Sequence, residues 1–390
     1  MKKIKKVAFY FLISLVILLT ISYISIGFTQ YQYLQTAIFY AYRGSTIASI
    51  NDADKEILQK SSKPEKWQLD AKYNQYQLSK EENNFFEKYK TVAFLVIQND
   101  KIKFEKYWDN YDENSLSNSF SMAKTVISLA IGIAIKEGKI KDVTQKISDF
   151  LPEFKKDGKE NLTIKNFLTM SSGLEWSEEY KNPLSDVVRA YFEKDLYTQL
   201  TNRPIATAAG KKFKYSSGDT QILGLVLQKA VKTPLSRYID EKIWRKIGAE
   251  KDAYWLVDKK GNQKSFCCLH SNAKDFARLA KLVLQKGKWN DEQIVPEEYI
   301  KEATSAADYL TDDTGEKVKH YGYQFWLLKD KNQYYPCFRG VLGQYMVVIP
   351  EKNAIIVRLG HSRGNEFKNF MPKDLYTYFE LGNKMLDESK

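Results

Sequence analysis

The stretch Phe120-Ser121-Met122-Ala123-Lys124 opens an apolar run that predicts a helix over residues 122–137, ended by Gly138. A serine and a lysine three positions apart share one helix face, so the lysine amine can take the proton of the serine hydroxyl. The helix is apolar on nearly all sides, and we expect it to be buried. The stretch therefore predicts a serine nucleophile, Ser121, with Lys124 as its base.

Burial should change the chemistry of Lys124. A lysine in the first turn of a buried helix is desolvated, and it lies at the end where the helix dipole disfavours positive charge. Both effects lower the pKa of the amine and make it a usable base near neutral pH. The alternative is a capping serine beside a lysine that reaches solvent.

A second Ser-x-x-Lys match, Ser271 and Lys274, serves as an internal control. It begins an amphipathic helix over 271–285, where we expect Ser271 to be an ordinary N-cap and Lys274 to lie on a normal polar face. No catalytic role is predicted for this pair.

Tyr215 is the candidate for a second proton-transferring group. It lies in a loop of turn residues, 209–219, ahead of a helix expected to start near Thr220. Three lysines within four residues of Tyr215 should favour its phenolate if they point inward. Further along, Arg339-Gly340-Val341-Leu342-Gly343-Gln344 places glycine where a ligand or another backbone comes close. A backbone N–H there, paired with that of Ser121, would form an oxyanion hole.

Together these elements resemble the penicillin-recognising serine hydrolases, and the resemblance covers about residues 90–390. The similarity is greatest to the class C β-lactamase-like group, which includes DD-peptidases, esterases and 6-aminohexanoate-dimer hydrolase. Stretches that support the aminohexanoate-dimer hydrolase branch are 116–124 (LSNSFSMAK), 167–174 (FLTMSSGL), 321–326 (YGYQFW) and 339–344 (RGVLGQ).

The resemblance implies a mechanism and a set of residues. Ser121 would attack a carbonyl while Lys124 and Tyr215 share the proton transfers, and the N–H groups of Ser121 and Val341 would hold the oxyanion. Water would then hydrolyse the acyl-enzyme. The substrate-binding candidates that the resemblance implies are Ser217, Arg339 and Gly340.

Two positions depart from the family pattern. Phe338-Arg339-Gly340 stands where β-lactamases carry Lys-Thr-Gly, so the usual carboxylate-binding hydroxyl is missing, although Arg339 could substitute for it. Ser217 stands where an asparagine is usual. These departures argue against efficient penicillin hydrolysis. They do not argue against cleavage of amides or esters in general.

The predicted fold is of the α/β class (α+β type), a β-lactamase/DD-peptidase-like antiparallel sheet flanked by helices with an inserted, mainly helical lobe. A hairpin is expected from 91–98 and 101–108, and a second from 345–349 and 354–359, followed by a C-terminal helix over about 368–387. One N-terminal transmembrane helix precedes this domain.

The N-terminus predicts a membrane anchor. Residues 1–6 are basic, and 7–28 are uncharged and long enough to span a bilayer. Lysines before this run and none within it would place the N-terminus in the cytoplasm and the remaining chain outside. Residues 29–90 would be a tether and wrapping segments, and 91–390 the hydrolase domain, outside the cytoplasm (periplasmic or cell surface). A cleaved signal peptide is the alternative.

The composition limits the kinds of partner and cofactor that the protein could bind. The net charge of +12 is spread over lysines along the whole chain, which is typical of a solvated surface and leaves open attraction to anionic envelope polymers. No nucleic-acid-binding pattern is present. Scattered histidines and three cysteines predict no metal site, no cofactor and no disulfide framework.

The leading hypothesis is a membrane-anchored serine hydrolase that acts on small amides or esters outside the cytoplasm. A non-catalytic envelope-binding or receptor module that kept the fold, and a cell-wall DD-peptidase, are the alternatives. The sequence predicts neither the substrate nor the oligomeric state.

Overall fold

The computed structural model describes residues 2–29, 31–43, 49–50 and 53–387. Met1 of the basic segment, parts of the predicted tether and the last three residues of the predicted hydrolase domain lie outside the described residues. The helices, in chain order, are α1 Lys2–Ile26, α2 Tyr33–Tyr42, α3 Lys80–Lys88, α4 Ala123–Lys136, α5 Ile164–Leu168, α6 Asp186–Phe192, α7 Leu196–Thr201, α8 Ser217–Val231, α9 Leu235–Ile239, α10 Ala273–Leu284, α11 Glu297–Ala303 and α12 Lys373–Asp387.

The strands are short outside the central sheet. In chain order they are β1 Lys55–Leu58, β2 Gln68–Leu69, β3 Thr91–Gln98, β4 Lys101–Tyr107, β5 Ser117–Asn118, β6 Ala253–Leu256, β7 Leu269–Ser271, β8 Lys288–Trp289, β9 Glu292–Gln293, β10 Trp326–Asp330, β11 Gln333–Gly340, β12 Gln344–Ile349, β13 Ala354–Gly360, β14 Phe367–Lys368 and β15 Met371–Pro372.

A seven-stranded sheet in the order β10-β11-β12-β13-β3-β4-β2 forms the centre of the domain. The two predicted hairpins are confirmed as β3–β4 and β12–β13, and β13 pairs antiparallel with β3, so the two hairpins join. Only β2 runs parallel to its neighbour, β4, within this sheet. The predicted mixed fold with an antiparallel sheet flanked by helices is confirmed.

The sheet has helices on both faces because its central strands alternate between two cores. On β3, Leu95 and Ile97 pack into the core that contains α4 and α10, whereas Phe94 and Val96 pack into the core that contains α12. Strands that are buried on both faces read as continuous apolar runs, as β3 does. The larger core continues from the sheet into the helical lobe, where α4 packs against α8.

A second sheet, β1-β6-β7-β5, positions the start of α4. Its strand β5 ends just before Phe120, and β5 pairs with β7, which follows residues 266–268 along the chain. In the second Ser-x-x-Lys match, Ser271 is not the N-cap that the sequence predicted, because it lies in β7. Asn272 caps α10 instead, by accepting a hydrogen bond from the backbone N–H of Asp275.

Helix α1 agrees with the expectation for the N-terminus in length and composition. Residues 5–26 form a helix that is long and apolar enough to cross a bilayer. Its most apolar stretch is not buried against the domain. A signal sequence would share these properties, and the predicted domain boundaries stay predictions.

The cysteines differ from the expectation. Cys267 and Cys268 form a disulfide between neighbouring residues, and Cys337 is free and buried. The chain takes a left-handed conformation at Cys268, with φ of 71°, which accompanies the pairing of these adjacent side chains. The sequence predicted no disulfide framework, and this bond between adjacent cysteines departs from that prediction.

Candidate active site

Ser121 and Lys124 lie side by side at the start of α4. Ser121 belongs to a 3₁₀ turn, Phe120–Met122, that leads into the helix. The Nζ atom of Lys124 lies 3.2 Å from Oγ of Ser121, within hydrogen-bond distance. The two side chains that the sequence singled out therefore meet, and a proton could pass directly between them.

Lys124 is enclosed on all sides, with a residue exposure of 1%. Its Nζ donates to Oγ of Ser217 at 3.0 Å and to the carbonyl oxygen of Phe266 at 2.8 Å. Burial lowers the pKa of Lys124 to about 8, while the negative charge of Glu178 works in the opposite direction. A substantial fraction of the amine is then neutral near pH 7 to 8, as a base requires.

The backbone before Ser121 is held in an uncommon conformation. Phe120 has φ of +44°, in the left-handed region that a bulky residue rarely adopts. Its N–H donates to Oδ1 of Asn118 at 2.8 Å, and the N–H of Ser119 donates to the carbonyl oxygen of Leu269 at 2.7 Å. These bonds tie the turn to β5 and β7 and fix where Ser121 points.

Tyr215 reaches the same point from the loop before α8. Nζ of Lys124 lies 5.3 Å from the centre of its ring, and the Ser121 hydroxyl is near enough to act on the pKa of the phenol. Burial raises the pKa of Tyr215, and the charge of Glu178 adds to this, although Ser121 and Arg339 partly oppose it. Tyr215 is therefore a neutral phenol at physiological pH.

The condition for a phenolate at Tyr215, neighbouring lysines that point inward, is not met. Lys211, Lys212 and Lys214 are exposed, and Lys212 forms an ion pair with Asp313. Burial of the ring outweighs the remaining positive charge near it.

Gly340 brings the end of β11 against the nucleophile turn. An ideal Cβ at Gly340 would lie 2.4 Å from the carbonyl oxygen of Ser119, so only glycine allows this approach. Val341 follows directly and begins the 3₁₀ turn Val341–Gly343. The strand end predicted for the oxyanion hole thus runs beside the turn that carries Ser121.

Arg339 is held from two sides. Its guanidinium stacks on Trp326, with Cζ 3.4 Å from the ring centre, and Nη1 donates to the carbonyl oxygen of Phe370 at 2.5 Å. Trp326 also stacks with Tyr215, with ring centres 5.3 Å apart. Arg339 is therefore coupled to the site through aromatic contacts.

Ser217 and Glu178 form a polar chain behind Lys124. Oγ of Ser217 accepts from Lys124 and donates to Oε1 of Glu178 at 2.6 Å, and the N–H of Ser217 donates to Oε2 at 2.9 Å. The indole N–H of Trp176 donates to the same carboxylate at 2.6 Å. Ser217 is fully buried and turned toward protein groups in this arrangement.

Glu178 and the carbonyl of Phe266 are site groups that sequence reasoning missed. Glu178 stands among ordinary surface residues, Ser177 and Glu179, just after the 167–174 stretch, and no periodicity distinguishes it. A backbone carbonyl carries no sequence signal. Both reach Lys124 only through tertiary folding, since Phe266 lies 142 positions from it along the chain.

Within residues 2–29, 31–43, 49–50 and 53–387, histidines, cysteines and acids do not gather in groups of three or more that could hold a metal ion. The site is built from a serine, a lysine, a phenol and a carboxylate. This set suits nucleophilic acyl transfer with proton shuttling.

Comparison with known proteins gives the same family. A family model described as Beta-lactamase matches residues 82–375. The 6-aminohexanoate-dimer hydrolase of Paenarthrobacter ureafaciens is 22% identical over 285 residues, 69% of this chain and 72% of that protein. A "Putative D-alanyl-D-alanine carboxypeptidase" of Salmonella agona is 26% identical over 214 residues, which are 48% of this chain and 49% of that protein.

Among solved structures, the "Putative 6-aminohexanoate-dimer hydrolase from Bacillus anthracis" superposes with a TM-score of 0.71. The match covers 91% of this chain and 93% of that one at 18% identity, and it supports the fold. The family model spans well over half of the chain, and the resemblance inferred from the motifs is confirmed. The chain therefore belongs to the β-lactamase family, in its serine β-lactamase-like group of hydrolases.

Proposed function

We propose that this protein is a membrane-anchored serine hydrolase that cleaves small amides or esters outside the cytoplasm through an acyl-enzyme on Ser121. One observation carries the proposal: a fully buried amine, Lys124, lies 3.2 Å from the Ser121 hydroxyl with its pKa lowered to about 8. An amine that is neutral and touches a hydroxyl can deprotonate it as it attacks a carbonyl.

The proton transfers divide between two groups. In acylation, Oγ of Ser121 attacks the carbonyl carbon and gives its proton to Nζ of Lys124. Tyr215 is kept protonated by burial, and its ring centre lies 5.3 Å from Nζ of Lys124. It can hand a proton to the leaving nitrogen or oxygen as the scissile bond breaks, and Lys124 can then restore that proton. In the second step, water replaces the leaving group and the transfers reverse.

The negative charge on the carbonyl oxygen needs fixed donors. The N–H groups of Ser121 and Val341 are the candidates, because Gly340 brings its strand end against the turn of Ser121. Backbone donors aimed at a developing oxyanion are worth about 10²–10³ in rate each. Gly340 thus contributes by its small size, and Arg339 is a candidate for binding an anionic group of a substrate.

Turnover of simple substrates tests the proposal. The full chain should hydrolyse p-nitrophenyl esters or small linear and cyclic amides over many turnovers, with an initial burst if deacylation is slow. Acylation that stops after one equivalent would contradict the hydrolase and favour an envelope-binding module. Release of D-alanine from a wall peptide would instead identify a DD-peptidase, the alternative that the Salmonella relative supports.

We assign Ser217 and Glu178 to the positioning of Lys124. Ser217 replaces the usual asparagine, and its hydroxyl connects the amine to the carboxylate. The negative charge of Glu178 raises the pKa of Lys124 against the effect of burial, so Glu178 sets how much of the amine is neutral at a given pH.

A Glu178→Gln variant should shift the pH profile. Without the carboxylate, the pKa of Lys124 falls further, and the acidic limb of kcat/KM, which reports the neutral amine, moves to lower pH. The maximal kcat should fall as well, since the amide orients Ser217 differently. The matched control is Glu179→Gln, an exposed neighbour that should leave the limb in place. An unchanged limb in the Glu178 variant would contradict the assignment.

The membrane anchor is supported by α1. Its candidate membrane-spanning part, residues 5–26, begins in a run of lysines, and its apolar window is not buried in the described structure. Lysines before such a helix keep the N-terminus in the cytoplasm and put the following domain on the other side. Cleavage after α1 remains the alternative, and N-terminal sequencing of the mature protein separates the two.

A further inference from the structure

Helix α2 is apolar on the side that faces the domain. The hydroxyl of Tyr33 donates to the carbonyl oxygen of Pro183 at 3.0 Å, and the guanidinium of Arg189 lies 5.7 Å from the centre of the Tyr33 ring. Tyr40, two turns on, packs against Phe192 with ring centres 5.8 Å apart. These contacts fix α2 against α6.

The opposite side of α2 is apolar as well, and it is open. Ile38 is 50% exposed, Phe39 48% and Tyr42 89%. We call these three side chains the α2 surface. Apolar residues exposed singly are normal, but a cluster on one short helix marks a contact site.

The position of α2 indicates which partner covers this surface. α1 ends at Ile26 and α2 begins at Tyr33, and the side-chain amide of Gln35 donates to the carbonyl oxygen of Tyr23 at 2.7 Å. Tyr23 lies in the last turn of α1. The first turn of α2 is therefore held level with the end of the apolar helix, where a spanning segment leaves the bilayer.

We propose that the α2 surface docks on the same bilayer that α1 enters, with its apolar side chains at the boundary between headgroups and acyl chains. The proposal rests on the membrane anchor of the proposed function. Tyrosine suits this depth because its ring is apolar and its hydroxyl is polar. Arg43 follows α2 with its guanidinium 5.6 Å from the Phe39 ring, which puts a positive charge beside the α2 surface.

Docking would also hold the active-site segment near the membrane. α6 lies under α2, and the chain just before α6 carries Glu178, the carboxylate linked to Lys124 through Ser217. A helix that lies flat on the bilayer and packs on this segment fixes the distance between the catalytic residues and the lipid surface. Substrates presented at that surface would then be favoured over those far from it.

The test uses the full chain in lipid nanodiscs with one nitroxide label at a time. The α2 positions are Phe39→Cys and Tyr42→Cys, the membrane reference is Leu15→Cys in α1, and the water reference is Leu69→Cys, an apolar residue of β2 that is 55% exposed. The native cysteines are disulfide-bonded or buried. Relaxation by oxygen and by a water-soluble nickel chelate reports the environment of each label.

We expect the ratio of relaxation by oxygen to relaxation by nickel to be several-fold higher for labels at 39 and 42 than for the label at 69. The label at 15 should show the same high ratio. A lipid-like Leu15 label with water-like α2 labels would overturn the docking surface alone. Low access to both reagents with dipolar broadening would show a second copy on α2 and would also overturn it. A label at position 15 that is as accessible to nickel as the label at 69 would contradict the membrane anchor as well. Hydrolysis of a soluble ester tests the catalytic part of the proposed function separately.

Discussion

Replacing Ser121 with alanine should abolish covalent labelling by a fluorophosphonate and lower kcat/KM on p-nitrophenyl esters by a factor on the order of 10³ or more. The reason is that Oγ of Ser121 lies within hydrogen-bond distance of Nζ of Lys124, and Tyr215 lies beside the same lysine. Removing the nucleophile leaves only oxyanion and binding contributions. Intact-protein mass spectrometry measures the labelling, and a mass increase of one probe adduct is expected in the wild type and not in the Ser121→Ala protein.

The chain supplies its own control for this experiment. Ser271 begins the second Ser-x-x-Lys match, is fully buried, and its Oγ has no hydrogen-bond partner among the described residues. Ser271→Ala removes a buried hydroxyl without breaking a bond, so labelling and turnover should stay close to wild type. Labelling of the Ser121→Ala protein at the wild-type rate would exclude Ser121 as the nucleophile.

Much of the fold was predictable because its signals are local. The alternation in β4, the apolar runs of β3 and β13 and the turns between them specify the two hairpins from neighbouring residues alone. The Ser121–Lys124 pair is likewise a property of a single helix face. Such features depend on few long-range contacts, and the structure reproduces them.

The errors occurred where distant segments decide the outcome. The ionisation of Tyr215 depends on how deeply its ring is buried, and Glu178 acts on Lys124 only because the chain returns to Ser217 39 positions later. The cap of α10 was misplaced by one residue because Ser271 is taken into β7, a pairing between segments more than 150 positions apart. Local propensity carries no information on these contacts.

Replacing Lys124 with methionine should lower kcat/KM by about 10²–10⁴, the usual contribution of a positioned base. Methionine fills a similar apolar volume, so the loss reports chemistry more than packing. In the wild type, activity should fall tenfold per pH unit below about 8, because the base must be neutral and its pKa is about 8. The wild-type rate should level off above this pH, whereas the residual rate of the variant should continue to rise with hydroxide and show no plateau.

The second match again provides the control. Lys274 forms ion pairs with Glu105 and Glu113, and its hydrogen bonds and their charge raise its pKa against the effect of burial. Lys274→Met should therefore leave kcat/KM and its pH dependence unchanged, although it can cost some stability by leaving two carboxylates unpaired. The comparison separates the two lysines by environment, since both follow a serine by three positions. Retention of the levelling-off near pH 8 in the Lys124→Met protein would mean that another group accepts the serine proton, and the buried amine would then have only a structural role.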